Sequence, residues 1–162
     1  MKKRSFARPV DINVYKRLPN GYKYHMEITG SLVEGQSLSY EIEARLLKAF
    51  LMTEEDVEQH ASPSFRREYN AFYVVSLVDE LEISITFPET FQANFYCGVA
   101  MGDVVTQAAM NSEELNRIEK NQWFKKDQKW ARLKVQGPLI GFSYLIYWTP
   151  PPKNVIDALK NA

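Results

Sequence analysis

The sequence predicts an α+β fold: a mixed, mainly antiparallel sheet with two to three helices packed on it. Three observations predict it. Apolar residues recur with a period of two in residues 22–32 and 81–87, the mark of strands with one buried and one wet face. In residues 40–52 the period changes, and Ile42, Leu46, Ala49 and Phe50 fall on one helical stripe. Turn signals (Pro19-Asn20-Gly21, Pro88, Gly137-Pro138) separate these segments.

Taken in order, Val10, Ile12 and Val14 alternate with polar residues and open a short strand that ends at the Pro19-Asn20-Gly21 turn. Tyr22, Tyr24, Met26, Ile28 and Leu32 share one parity of the next strand, and His25 falls on the wet one. The helix of residues 40–52 follows. Thr53 ahead of Glu54, Glu55 and Asp56 is an N-cap with acids in its first turn, so a second short helix is expected, ending before Pro63. His60, near that end, suits a capping role. Residues 71–78 and 81–87 read as strands, with Asp79-Glu80 as a hairpin or a kink. Residues 93–105 form another strand, punctuated by Gly98 and Gly102. Asn111 with Glu114 three residues on resembles a capping box, and starts a helix through Leu115 and Ile118 that runs into residues 122–134. The apolar run 139–148 is a buried strand, Pro150-Pro151-Pro152 is extended, and the last ten residues form a short helix or fray. The domain plan is a basic N-terminal arm with a short strand (1–21), one α+β domain (22–148) and a Pro-rich exit (149–162).

Charge is unevenly spread although it sums to zero. Residues 1–26 carry a net +6, residues 27–90 a net −9 and residues 91–162 a net +3. Such blocks favour head-to-tail self-association or two distinct partners. The single cysteine, Cys97, excludes an intramolecular disulfide and a CxxC metal site, and its apolar setting reads as a buried inert thiol. No apolar stretch reaches 18 residues and the basic start has no h-region, so neither a membrane span nor a signal peptide is expected and the location is intracellular.

Catalytic chemistry has little material. With two histidines and one cysteine, triads and zinc sites are not supported. No GxxxxGK[ST] or GxGxxG loop occurs, and Asp79, Glu80 and Glu82, or Asp103 after Gly98-x-x-x-Gly102, are the only divalent-metal candidates. No enzyme activity, cofactor, metal or small-molecule substrate is expected.

The binding signal is QWFKKDQKWARLK, residues 122–134, where two of the three tryptophans sit among five basic residues. Flat rings beside cations suit an anionic membrane surface or a nucleic-acid strand. Read as a helix over residues 116–130, the stretch places Trp123, Lys126 and Trp130 near one face and turns Trp123 toward the core. The candidate membrane- or nucleic-acid-binding residues are Trp123, Lys125, Lys126, Lys129, Trp130 and Arg132, with Lys2, Lys3 and Arg4 of the arm.

In element order the chain resembles the matrix proteins of rhabdoviruses and related negative-strand RNA viruses. The likeness runs through YKYHMEITGSLV, the amphipathic SYEIEARLLKAF, the strands AFYVVSLV and LEISITF, a later helix and a closing strand. It lacks the PPxY motif of many animal-virus relatives and their long basic tail, which makes the plant-infecting members closest. The resemblance implies a non-enzymatic viral structural protein of the virion that binds membrane and nucleocapsid RNA and self-associates. The alternative from the same residues is a single-stranded nucleic-acid-binding protein.

Overall fold

The computed structural model describes residues 10–18, 21–28, 53, 67–88, 91–103, 105–149 and 153–160. The chain forms two compact units, residues 1–47 and 48–162.

In the first unit, β1 (Val10–Leu18) pairs antiparallel with β2 (Gly21–Ile28). Val10 opposes Ile28, Ile12 opposes Met26 and Val14 opposes Tyr24, so the two apolar parities read from the sequence share one face. A bulge between Val14 and Lys16 shifts the register toward the turn. The expected helices of residues 40–52 and 53–59 lie outside the described residues.

The second unit stacks two three-stranded antiparallel sheets. One has the order β3-β8-β5, from Glu68–Tyr73, Phe142–Trp148 and Phe95–Met101. The other has the order β4-β7-β6, from Glu80–Thr86, Trp130–Gln136 and Phe124–Lys126. The described elements are thus mainly antiparallel strands with two α-helices, α1 (Ser112–Lys120) and α2 (Lys153–Lys160), and a 3-10 turn, Gln107–Ala109.

The core fills the space between these two sheets. Leu81 and Ile83 of β4, Ala131, Leu133 and Val135 of β7, and Phe95, Val99, Tyr144, Ile146 and Trp148 of the facing sheet are all buried. Phe87 joins the layers, its ring 5.3 Å from those of both Phe95 and Trp148. Trp148 is wholly buried, and its indole Nε1 donates to Glu68 at 3.0 Å, which gives the one polar atom of that ring its partner.

Four expectations are corrected. One sheet becomes two because β3 and β4, consecutive in sequence, pair with β8 and β7 in different layers. The strand expected at 71–78 therefore stops at Tyr73, and residues 74–79 carry the chain between layers, leaving Val75 and Leu77 exposed. Of the two readings left open for Asp79-Glu80, a hairpin or a kink, the hairpin is excluded, because β3 and β4 lie in different sheets. The strand of residues 93–105 is β5 alone, ended by Gly102 in the left-handed region at φ 86°.

The fourth correction bears on the site. The Asn111 N-cap holds, with Oδ1 accepting from Glu114 N at 2.8 Å, but α1 ends at Lys120. Trp123 N donates to Ile118 O at 3.1 Å and Gln122 N to Glu119 O at 3.0 Å, the bond pair of a Schellman cap. Gln122 occupies its left-handed position, φ 54°, where glycine is the usual residue. The chain then reverses into the β6–β7 hairpin, so residues 116–130 are not one helix.

Candidate binding surface on the β6–β7 hairpin

Period-two geometry, not helical geometry, distributes the cationic-aromatic stretch. In β7, Ala131, Leu133 and Val135 enter the core, and Trp130, Arg132, Lys134 and Gln136 take the outer face. Across the ladder β4 presents Glu80, Glu82, Ser84 and Thr86 on the same face. Arg132 Nη2 lies 2.6 Å from Glu82 Oε2, and Lys134 Nζ lies 2.9 Å from Glu80 Oε1. Gln136 also donates to Glu80, and these hydrogen bonds from Lys134 and Gln136 hold the Glu80 carboxyl below its ordinary range. The acidic middle of the chain therefore neutralises two of the five basic residues.

The other three gather at the hairpin's closed end. Asp127 Oδ1 accepts from Lys129 N at 2.6 Å and from Trp130 N at 2.8 Å, and Asp127 N donates to Trp130 O at 2.9 Å, which closes the turn. Lys125 lies on the outer face opposite Arg132. Lys126 points the other way: its ammonium donates to Phe95 O and stands 4.8 Å from the Tyr96 ring centroid. Among the described residues no carboxylate forms an ion pair with Lys125, Lys126 or Lys129. With Asp127 counted, this end carries a net +2.

The two tryptophans differ. Trp130 is 37 % exposed. Trp123 is half-buried against the core, and the Arg117 guanidinium sits 4.9 Å over its ring. Helical spacing placed Trp123, Lys126 and Trp130 together; the sheet separates them. Trp123 instead lines an open cleft of about 330 Å³ with Gln122, Lys125, Arg132, Lys134 and Gln136. A second cleft, about 400 Å³, lies along the other side of β6 between Cys97, Ile118, Glu119, Gln122, Phe124 and Lys125. Burial, with Glu119 nearby, pushes the Cys97 thiol up to about 11, which keeps it protonated at neutral pH.

Arg117 belongs to a buried network that fixes α1 to β8. Glu114, 4 % exposed, accepts from Arg117 Nε at 2.8 Å and from Tyr144 Oη at 2.6 Å, and Tyr144 Oη in turn accepts from Leu139 N at 2.8 Å. No side-chain polar atom buried in the described residues lacks a partner.

Sequence reasoning missed a separate apolar tip. Val75, Leu77, Met101, Leu139 and Ile140 are exposed at the end where the turns after β3, β5 and β7 meet, Leu77 at 91 %. Gly141 N bonds Val74 O and Gly102 N bonds Gly141 O, both at 2.8 Å, so the turns are tied together. Its signal was the run VVSLV, which reads equally as a strand. The tip lies beyond Gln136, about 20 Å along β7 from Trp130.

Lys2, Lys3 and Arg4 lie outside the described residues. Glu80 and Glu82 are taken by cations, and no cluster of three metal-ligating side chains occurs among the described residues. No described helix is long and apolar enough to cross a membrane. Compared with known proteins, the chain matches no family model, no curated protein and no solved structure.

Proposed function

We propose that the chain is a non-enzymatic, matrix-type scaffold that docks the closed end of the β6–β7 hairpin on an anionic membrane surface and self-associates. The observation that carries this reading is the closed end of the hairpin, where Trp130 is part-exposed and Lys125, Lys126 and Lys129 have no carboxylate partner among the described residues, Lys125 on the outer face with Trp130 and Lys126 on the other side. An indole with one apolar and one polar edge suits the headgroup layer, and lysines reach toward phosphates on their flexible stems.

Magnitudes set the strength of such docking. Attraction to an anionic surface is worth about 1 kcal/mol per basic residue. A net +2 therefore supplies about 2 kcal/mol, where five free cations would supply about 5. One copy binds weakly, and an assembly of copies binds well, because linked weak contacts multiply.

The nucleic-acid alternative needs several open ring faces for successive bases. Tyr96 stacks on Tyr147 at 5.3 Å and faces the Lys126 ammonium, and Trp123 is covered by Arg117. Trp130 alone offers an open face in this stretch, which favours the membrane reading. Fluorescence titration tests the choice: the scaffold reading expects a blue shift of tryptophan emission with anionic vesicles at low salt and none with a single-stranded oligonucleotide. Saturable binding of the oligonucleotide, with vesicles inert, reverses it.

A further inference from the structure

Among the described residues the sheet β4-β7-β6 has an edge strand at each side, and the side chains of the two edges differ in sign: Glu80 and Glu82 on β4, each ion-paired to β7, and Lys125 and Lys126 on β6. Antiparallel pairing turns the backbone groups of alternate residues toward the partner strand and those of the residues between toward the free edge. In β4, Phe87 N bonds Lys129 O and Gly137 N bonds Asp79 O, which fixes the odd-numbered residues as the ones facing β7. The N–H and C=O groups of Glu80, Glu82, Ser84 and Thr86 therefore face outward. In β6, Lys134 N bonds Trp123 O and Asp127 N bonds Trp130 O, so Phe124 and Lys126 turn their backbone groups away from β7. Among the described residues none of these outward groups has a backbone partner. The edge of β5 in the other sheet is different, since Asn111 N bonds Val99 O and Met110 bridges Ala100.

We infer that copies of this chain join edge to edge, the β4 of one adding to the β6 of the next. Open edges template pairing with another chain. Charge selects which edges meet: β4 against β4 sets Glu80 and Glu82 beside their own kind, and β6 against β6 does the same with Lys125, whereas β4 against β6 sets Glu82 beside Lys125. Keeping those side chains on one face requires the joined strands to run parallel, as β4 and β6 already do within one copy through their common partner β7. The cleft of Cys97, Ile118, Glu119, Gln122, Phe124 and Lys125 along the β6 edge leaves room for an incoming strand. The contact is head-to-tail, so it does not close on itself as a twofold dimer does but repeats into an open assembly. With only three residues in β6, each joint is weak, and assembly rises with concentration. This inference rests on the scaffold reading only in naming how copies meet.

Sedimentation velocity of the full chain, without lipid and at low ionic strength, tests it from micromolar to millimolar concentration. Proline at an outward-facing position removes a donor from the free edge and leaves the native ladder intact. The wild type is expected to show a growing series of species, and Ser84→Pro and Lys126→Pro each to stay monomeric. Mixed together they are expected to form a dimer and nothing larger, because each supplies the edge that the other lacks. A monomeric wild type, assembly of either proline variant as in the wild type, or a mixture without dimer overturns the proposal. Should a proline variant fail to fold by circular dichroism, Lys125→Glu, whose native side chain has no ion pair among the described residues, is expected to weaken assembly about fivefold, and unchanged assembly overturns the proposal equally. Vesicle binding by a monomeric, folded Ser84→Pro reports on the docking reading separately.

Discussion

Arg132 reaches diagonally across the β4–β7 ladder to Glu82, with 2.6 Å between Nη2 and Oε2, although its register partner is Ser84. That reach removes from the outer face a cation that the sequence counts as available. Glu82→Gln is therefore expected to strengthen binding to anionic vesicles about fivefold, roughly the 1 kcal/mol of one restored basic residue. Thermal stability changes little, since an exposed ion pair is worth about 1 kcal/mol or less. A vesicle titration beside a melting curve checks both.

The Tyr144 hydroxyl joins Glu114 to the backbone of Leu139. Tyr144→Phe leaves the Leu139 N–H without its acceptor and Glu114 with Arg117 alone. The expected loss is about 1–3 kcal/mol, read from urea unfolding at unchanged slope.

Gln122 holds a left-handed conformation that costs an L-residue roughly 1–2 kcal/mol. Gln122→Gly relieves it and gives back about 0.5–1 kcal/mol in unfolded-chain entropy. A net gain of about 0.5–1 kcal/mol in the same urea experiment is expected.

Two groups, the half-buried Cys97 and the buried Tyr144, set an alkaline limit. Burial raises the Cys97 thiol from 9.0 to about 11, and burial with Glu114 beside it raises the Tyr144 hydroxyl from 10.0 to about 12. The folded state keeps protons that the unfolded chain releases, so this stability is complete below about pH 9 and is lost as pH rises through about 11 and 12. Unfolding midpoints are expected to fall across that window. At neutral pH Cys97 carries about a hundredfold less thiolate than a cysteine at 9.0, and because a more basic thiolate is the better nucleophile, alkylation by iodoacetamide is expected to be slowed about tenfold.

How legible the fold was depended on the kind of signal. Alternation in Leu81, Ile83 and Ile85 located β4, and the capping pair Asn111 and Glu114 located the start of α1, because both patterns are local. The end of α1 was hidden because its cap uses Gln122 where glycine would have announced it. The WARLKVQ segment carries a clear period of two, with Ala131, Leu133 and Val135 inward, but the i, i+3 and i+7 placement of Trp123, Lys126 and Trp130 matched a helix equally well. Division into two layers depends on which distant strands pair. The run at residues 74–78 is apolar enough for a strand, and only the crossing between sheets makes it a loop. The tryptophans and lysines were visible in the sequence; their partition into neutralised and unpaired cations was not, since Glu80 and Glu82 lie about 50 residues away.

The most direct measurement is co-sedimentation with anionic vesicles at low and high salt, comparing wild type, Lys125→Glu/Lys126→Glu and Leu77→Asp. Salt-sensitive binding by the wild type is expected, with a loss of about tenfold or more in the double lysine variant and wild-type binding by Leu77→Asp at the apolar tip. Equal binding by the lysine variant, or binding lost only in Leu77→Asp, would contradict docking through the closed end of the hairpin.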